Sequence, residues 1–347
     1  MSKLRKRRKE KKEELEEVEE AEESQPSLIY KPIATDRVVS TGSTLLDLAI
    51  SGKRVRGGGI PPGIMVELFG PSSSGKTTLL VEIGASVQDK GGEVNIADPE
   101  ARLDDEYTKQ HGLKVPADNY TRPDTVKELF GNILTWEPEN EKAINLYGAD
   151  SIAALSTDME MSKDGDKRGQ RKAKELSEGC RKTARIISQD NKLVVFTNQE
   201  RQAEFGKTTP GGFAVGYHAS LRIHIARANR VEPTKKLASG VSVKKTIGIH
   251  SKATVVKSSI DDEYRVAPVY IIFGFGIDDV RANLQYLKDM TKGSKYDAVD
   301  KSFKSMDYAI KHIETNNLEH ELRENVIDMW EEIELKFQRD RKKKVRF

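Results

Sequence analysis

The sequence predicts an α/β protein, a mostly parallel central sheet with helices on both faces, followed by a small C-terminal helical region. Three observations carry this. Short apolar runs suited to buried strands alternate with stretches of helical spacing, the pattern of a sheet built from crossover units. One of these runs leads into a glycine-rich turn and then a helix, as a phosphate-binding sheet edge requires. Near the C-terminus Leu318, Leu322, Val326, Trp330, Ile333 and Phe337 step by three or four and mark one apolar helical face.

The elements follow in chain order. Residues 3–12 are almost all basic and residues 13–23 almost all acidic, so 1–27 reads as a charged arm with a Pro26 linker. Thr41 to Thr44 precede the apolar run LLDLAI and predict a helix start. Arg54 to Pro62, rich in Gly and Pro, is a loop. Strands are expected at 64–69, 93–97, 143–149, 193–197, 220–225, 251–257 and 269–273, and helices at 78–87, 125–135 and 171–189. The last strands follow one another quickly, which predicts antiparallel pairing at one edge. The chain is accordingly divided into an arm at 1–27, a core at 28–284, a helical domain at 285–338 and a basic tail at 339–347.

Composition limits the function classes. With 36% hydrophobic and 33% charged residues, the 347-residue chain is neither low-complexity nor globally disordered. No window of about 18 apolar residues exists, so no membrane helix is expected. The basic start lacks an apolar centre and does not read as a secretory signal. A single cysteine, Cys180, excludes an intrachain disulfide and a site of several thiolates. These features point to the cytoplasm. The net charge of +3 is nearly balanced, so nucleic acid would have to be met by local basic patches.

Gly70-Pro71-Ser72-Ser73-Ser74-Gly75-Lys76-Thr77 fits G-x-x-x-x-G-K-[ST], and Thr78 follows it. Glycines let backbone N–H groups curl around a phosphate, and the helix N-terminus adds partial positive charge. Lys76 would reach the terminal phosphates of a nucleotide, and the Thr77 hydroxyl would bind Mg²⁺. Asp150 closes the run AINLYGAD and suits the second metal-side position, although Asn145, Tyr147 and Gly148 interrupt the aliphatics and an ordinary strand-end Asp has the same appearance. Glu100 would project from the loop after the 93–97 strand and could orient or deprotonate water. On residue type alone it is one of 55 acids.

Several segments together carry a resemblance: STGSTLLDLAI, GPSSSGKTT, DPEARLDDEY, DSIAAL, TNQER and TPGGFAVGYHASLRI. Their order and spacing resemble the RecA family of DNA strand-exchange ATPases over about Val39 to Ile277. The divergent ends and the irregular Asp150 strand fit a phage-encoded member. The resemblance implies ATP and Mg²⁺ as cofactors. It puts Glu100 on the water-activating glutamate, Asp104 and Tyr107 on the residues that hold and stack on adenine, and Gln199 on the γ-phosphate sensor. It puts Lys163, Lys167 and Arg168 in a first DNA-binding loop, and Arg201, Phe205, Lys207, Gly211 and Gly212 in a second.

Two departures stand out. Where the family carries two lysines that reach the neighbouring subunit's nucleotide, this chain has Lys257 and then Ser259. Lys3 to Glu23 lack the apolar face of the family's oligomerisation helix, and Leu28 to Ile33 could instead add a strand to the next subunit. The expected function is an ATP-dependent DNA recombinase, filamentous on single-stranded DNA and pairing it with homologous duplex. A single-strand-binding protein and a loader would be its partners, with no membrane. A regulator or loader of another recombinase, and a helicase motor of the same fold, are the alternatives.

Overall fold

The computed structural model describes residues 37–157, 168–203, 206–209 and 214–338. Its centre is a nine-stranded sheet. The parallel strands are β1 (Met65–Gly70), β2 (Val94–Ala97), β3 (Tyr120–Thr121), β4 (Asn145–Ala149), β5 (Lys192–Gln199) and β8 (Leu221–Val231). The antiparallel edge adds β11 (Gly248–Ser258), β12 (Val266–Ile272) and β13 (Gly276–Ile277). The order is β13-β12-β11-β8-β1-β5-β4-β2-β3. The parallel majority and the antiparallel edge are both as the sequence predicts.

Alternation along β1 shows why the sheet needs cover on two faces. Val66 and Leu68 face a core with the helices α1 (Thr44–Ser51) and α2 (Lys76–Asp89). Met65 faces a second core with α4 (Val126–Thr135), which follows the short α3 (Asp105–Gln110), and with α5 (Arg168–Ile187). Every residue of α1 is buried, so it carries no solvated face. Each of its buried Leu and Ile side chains contributes about 1.5–3 kcal/mol. Cys180 belongs to the second core, and burial first, then the nearby Glu67 charge, pushes its thiol up to about 12. It is a packing residue with no accessible thiolate.

After β5 the chain makes a small hairpin of β6 (Arg201–Ala203) and β7 (Gly206–Thr208), then the helix α6 (Ala214–His218). The resemblance places the second DNA-binding loop here, from Arg201 to Gly212. Backbone pairing of Arg201 with Thr208 and of Gln202 with Lys207 makes its start a two-stranded ribbon. A second ribbon, β9 (Thr234–Lys236) and β10 (Ser242–Lys244), projects between β8 and β11.

Helix α7 (Asp279–Thr291) runs across position 285, where the sequence reading began its helical domain. A hairpin, β14 (Tyr296–Ala298) and β15 (Lys301–Phe303), precedes α8 (Met306–Asn316) and α9 (Glu319–Lys336), so this region is not wholly helical. On α9 Leu322, Val326 and Ile327 are buried. Phe337 is a correction: the helix stops at Lys336 and the ring is 81% exposed. Arg56 ties α9 to the loop after α1 through Glu324, Asp328 and Glu331.

Candidate active site

Parallel strands end on the same side, so β1, β2, β4 and β5 deliver their C-terminal residues to one edge. Gly70 pairs with Gln199, Ala149 with Phe196 and Ala97 with Ala149, and the residues that follow share one rim. The glycine-rich turn bridges β1 and α2. A Cβ on Gly70 would come within 2.1 Å of the Ile225 carbonyl oxygen, so the turn can start only from glycine. Gly75 sits at φ 100° as the N-cap of α2, a left-handed conformation that glycine adopts without strain. Ser251 on β11 donates to the Ser74 carbonyl at 2.8 Å and props the turn from below.

At that rim Lys76 is almost fully buried, and its Nζ donates to the carbonyls of Pro71 (2.8 Å) and Gly70 (3.2 Å). Burial pushes its pKa down, while Asp150, Glu100 and Glu200 pull it up. The Thr77 hydroxyl donates to Asp150 Oδ2 at 2.5 Å. Thr197 on β5 donates to the other Asp150 oxygen. Burial raises the Asp150 pKa, the two threonine hydrogen bonds lower it, and the Glu100 and Asp98 charges raise it further. Beside this pair, Glu100 Oε1 accepts from Ser151 Oγ (2.8 Å) and Gln199 Nε2 (3.1 Å). Lys76, Thr77, Asp150, Glu100 and Gln199 are thus within one polar cluster.

The turn opens into a cavity of about 410 Å³ lined by residues 73–78, Tyr107, His111, Arg227 and Phe273. The Tyr107 hydroxyl lies 2.8 Å from Thr78 Oγ1, and its ring leans on His111 with centroids 4.5 Å apart. Asp104 is elsewhere. Its carboxylate caps α3 by accepting from Glu106 N at 3.2 Å, and it lines a neighbouring cavity with Arg102 and Arg122. The sequence reading paired Asp104 with Tyr107 around one base, and the structure separates the two.

Lys257 is not at this rim. Its Nζ donates to the carbonyls of Tyr217 (2.8 Å) and Gly216 (3.0 Å) at the end of α6, and burial together with nearby Arg222 lowers its pKa. Ser259 follows it and donates its N–H to the Ser220 carbonyl at 2.8 Å. Of the expected DNA-contacting residues, Arg168 opens α5 and Arg201 and Lys207 lie on the β6–β7 ribbon. Lys163, Lys167, Phe205, Gly211 and Gly212 lie outside the described residues, as do Leu28 to Ile33 and both basic runs.

The sequence reading missed Thr197, Ser151, His111, Arg227 and Phe273. Thr197 sits inside an apolar strand and His111 beyond a helix end, and neither carries a local signal. Arg227 and Phe273 lie more than 140 residues from the turn and reach it only through the sheet order.

The donor set suits a nucleotide with Mg²⁺. Ser74 Oγ is buried with no hydrogen-bond partner among the described residues. Asp150 takes hydroxyl donors from Thr77 and Thr197. Mg²⁺ bound to phosphates needs only one or two protein ligands, and Thr77 with Asp150 is such a pair.

Comparison with known proteins agrees with this geometry. The family model described as the RecA N-terminal domain matches residues 24–278. Protein RecA of Wolinella succinogenes is 33% identical over 290 residues, 82% of this chain and 77% of that protein. Protein RecA of Paracoccus denitrificans is 33% identical over 255 residues, covering 72% and 67%. The RecA of Helicobacter pylori strain G27 is 34% identical over 282 residues, covering 79% and 75%. With the glycine-rich turn, the acidic rim and this similarity along most of its length, the chain belongs to the RecA family.

Proposed function

We propose that this chain is a DNA-dependent ATPase that coats single-stranded DNA as a helical filament and pairs it with homologous duplex. One observation supports this best. Gln199 bonds the Glu100 carboxylate and leads within two residues into the β6–β7 ribbon, so the nucleotide rim and a candidate DNA-facing segment share one strand.

In this reading the turn's N–H groups and Lys76 hold the phosphates. Lys76 exchanges its carbonyl partners for phosphate oxygens, which make stronger, charge-assisted hydrogen bonds. Thr77 and Asp150 hold Mg²⁺, which when bound neutralises charge on the terminal phosphates. Thr197 fixes the Asp150 carboxylate in place. Glu100 orients a water and takes its proton, with Ser151 and Gln199 fixing the carboxylate's direction. Gln199 can exchange Glu100 for the terminal phosphate and so report nucleotide state to the ribbon. Tyr107 and Phe273 supply aromatic walls for the base.

Lys257 contributes its charge to the nucleotide of the adjacent subunit, once freed from the α6 carbonyls. Arg168, Arg201, Lys207 and the loop residues beyond the described segments follow the DNA backbone, so binding is nearly sequence-independent and salt-sensitive. The protein acts in the cytoplasm beside a single-strand-binding protein and a loader. Among the described residues no helix is long and apolar enough to cross a membrane.

The test is ATP hydrolysis with and without single-stranded DNA, read beside negative-stain images with an ATP analogue. Stimulated hydrolysis and filaments are expected. Glu100→Gln should retain nucleotide and lose most turnover, on the order of 10²-fold or more. Rings, or hydrolysis indifferent to DNA, would defeat the reading.

A further inference from the structure

The carboxylate of Glu100 has more partners than a water-activating base requires. Ser151 and Gln199 occupy Oε1, as described. Oε2 is taken by the Nη1 of Arg102 at 2.7 Å. The loop itself is built to make this contact. Asp98, buried at the end of β2, accepts from Ala101 N (3.1 Å) through its carbonyl. Its carboxylate Oδ2 accepts from Leu103 N and from the Tyr120 hydroxyl, each at 2.7 Å. Pinned at both ends, the turn puts Ala101 at φ 52°, a left-handed conformation that alanine disfavours. The strained residue lies between Glu100 and Arg102 and folds the second back over the first. Backbone strain kept beside reacting groups is a pointer to function.

The two partners differ in setting. The Glu100 side chain is 14% exposed and that of Arg102 is 77% exposed. The arginine therefore reaches in from solvent, where water competes for it, and such a pair is weak enough to open and close.

We propose that Arg102 is a positioning residue that latches Glu100. This rests on the reading of Glu100 as the base. With the guanidinium on Oε2, that oxygen is closed to water. When Arg102 swings to solvent, Oε2 takes a proton from water as the water oxygen bonds the terminal phosphorus. The bridging oxygen then leaves with the diphosphate. The latch therefore slows the chemical step without touching the nucleotide.

The experiment is steady-state ATP hydrolysis on saturating single-stranded DNA by the full chain and by Arg102→Ala, Arg102→Lys, Glu100→Gln and the Arg102→Ala/Glu100→Gln double variant. Arg102→Ala should raise kcat about fivefold, the size of a surface ion pair, with KM for ATP unchanged. Arg102→Lys should fall between it and the parent protein. In the Glu100→Gln background, removing Arg102 should change nothing. A kcat at or below the parent value in Arg102→Ala, with Glu100→Gln inactive, overturns the latch alone. Parent-like turnover in Glu100→Gln removes the base assignment and the latch with it.

Discussion

Two glutamate–arginine pairs in this protein have nearly the same geometry and opposite surroundings. Glu67, in the middle of β1, takes Arg222 Nε at 2.6 Å and Asn198 Nδ2 at 2.9 Å. It is fully buried, and the Arg222 guanidinium lies 4.5 Å from the centre of the Phe69 ring. Glu100, two residues past the loop's first Asp, takes Arg102 at 2.7 Å at the open rim. An ion pair inside a sheet cannot exchange its partner for water, so losing one member strands the other charge. An ion pair at a rim can, so it is worth little to stability and is free to serve chemistry. The same residue types thus become a structural brace in one place and an adjustable site in the other, and burial alone makes the difference.

Removing the cation from each pair breaks the comparison most directly. Arg222→Ala should cost about 3–5 kcal/mol of stability, read as a lowered urea midpoint, because the buried Glu67 loses its cation. Arg102→Ala should shift the same midpoint by no more than about 1 kcal/mol. Equal losses would mean that burial does not separate the two pairs.

Asp47 sharpens the contrast, since it is buried and, among the described residues, its partners are hydroxyls and a backbone N–H rather than a cation. It accepts from Ser40 Oγ (2.5 Å), Thr41 N (2.7 Å) and Thr41 Oγ1 (2.8 Å), and burial carries its pKa from 3.8 to about 6 against these bonds. The folded chain therefore keeps a proton that the unfolded chain gives up. This contribution is fully present below about pH 4 and is lost as pH rises through about 6. The loss is on the order of 3 kcal/mol. Asp47→Asn is neutral at every pH and should lack this fall. Parallel stability–pH curves for the two proteins would contradict it.

Smaller effects are expected at the rim. Lys76→Ala should weaken ATP binding by roughly 10- to 100-fold, the range for a lost hydrogen bond to a charged group, with little change in stability. Titration with a fluorescent nucleotide reads it. Thr197→Val should be the mildest, about 1 kcal/mol, and should appear as a higher Mg²⁺ requirement because one Asp150 oxygen loses its donor. An unchanged Mg²⁺ dependence would leave Thr197 as a plain strand residue.

The sequence by itself determined what is local. The turn from Gly70 to Thr77 is legible because phosphate binding by backbone N–H groups needs its residues at fixed short spacing. The strands and the main helices are legible because burial imposes periods of 2 and about 3.6. Asp150 and Gln199 could be placed at strand ends, and a parallel sheet collects strand ends on one edge. Tertiary structure decided the partners. Thr197, Arg227 and Phe273 reach the site from distant strands, and Asp104 turns to cap its own helix while Tyr107, three residues on, faces the cavity. Arg102 meets Glu100 only because Asp98 holds Ala101 in a left-handed turn, and Arg222 meets Glu67 only because β8 lies beside β1 in register. Periodicity reports which side chains are buried, but the strength of a charge depends on what is buried with it, and that is set by strand order.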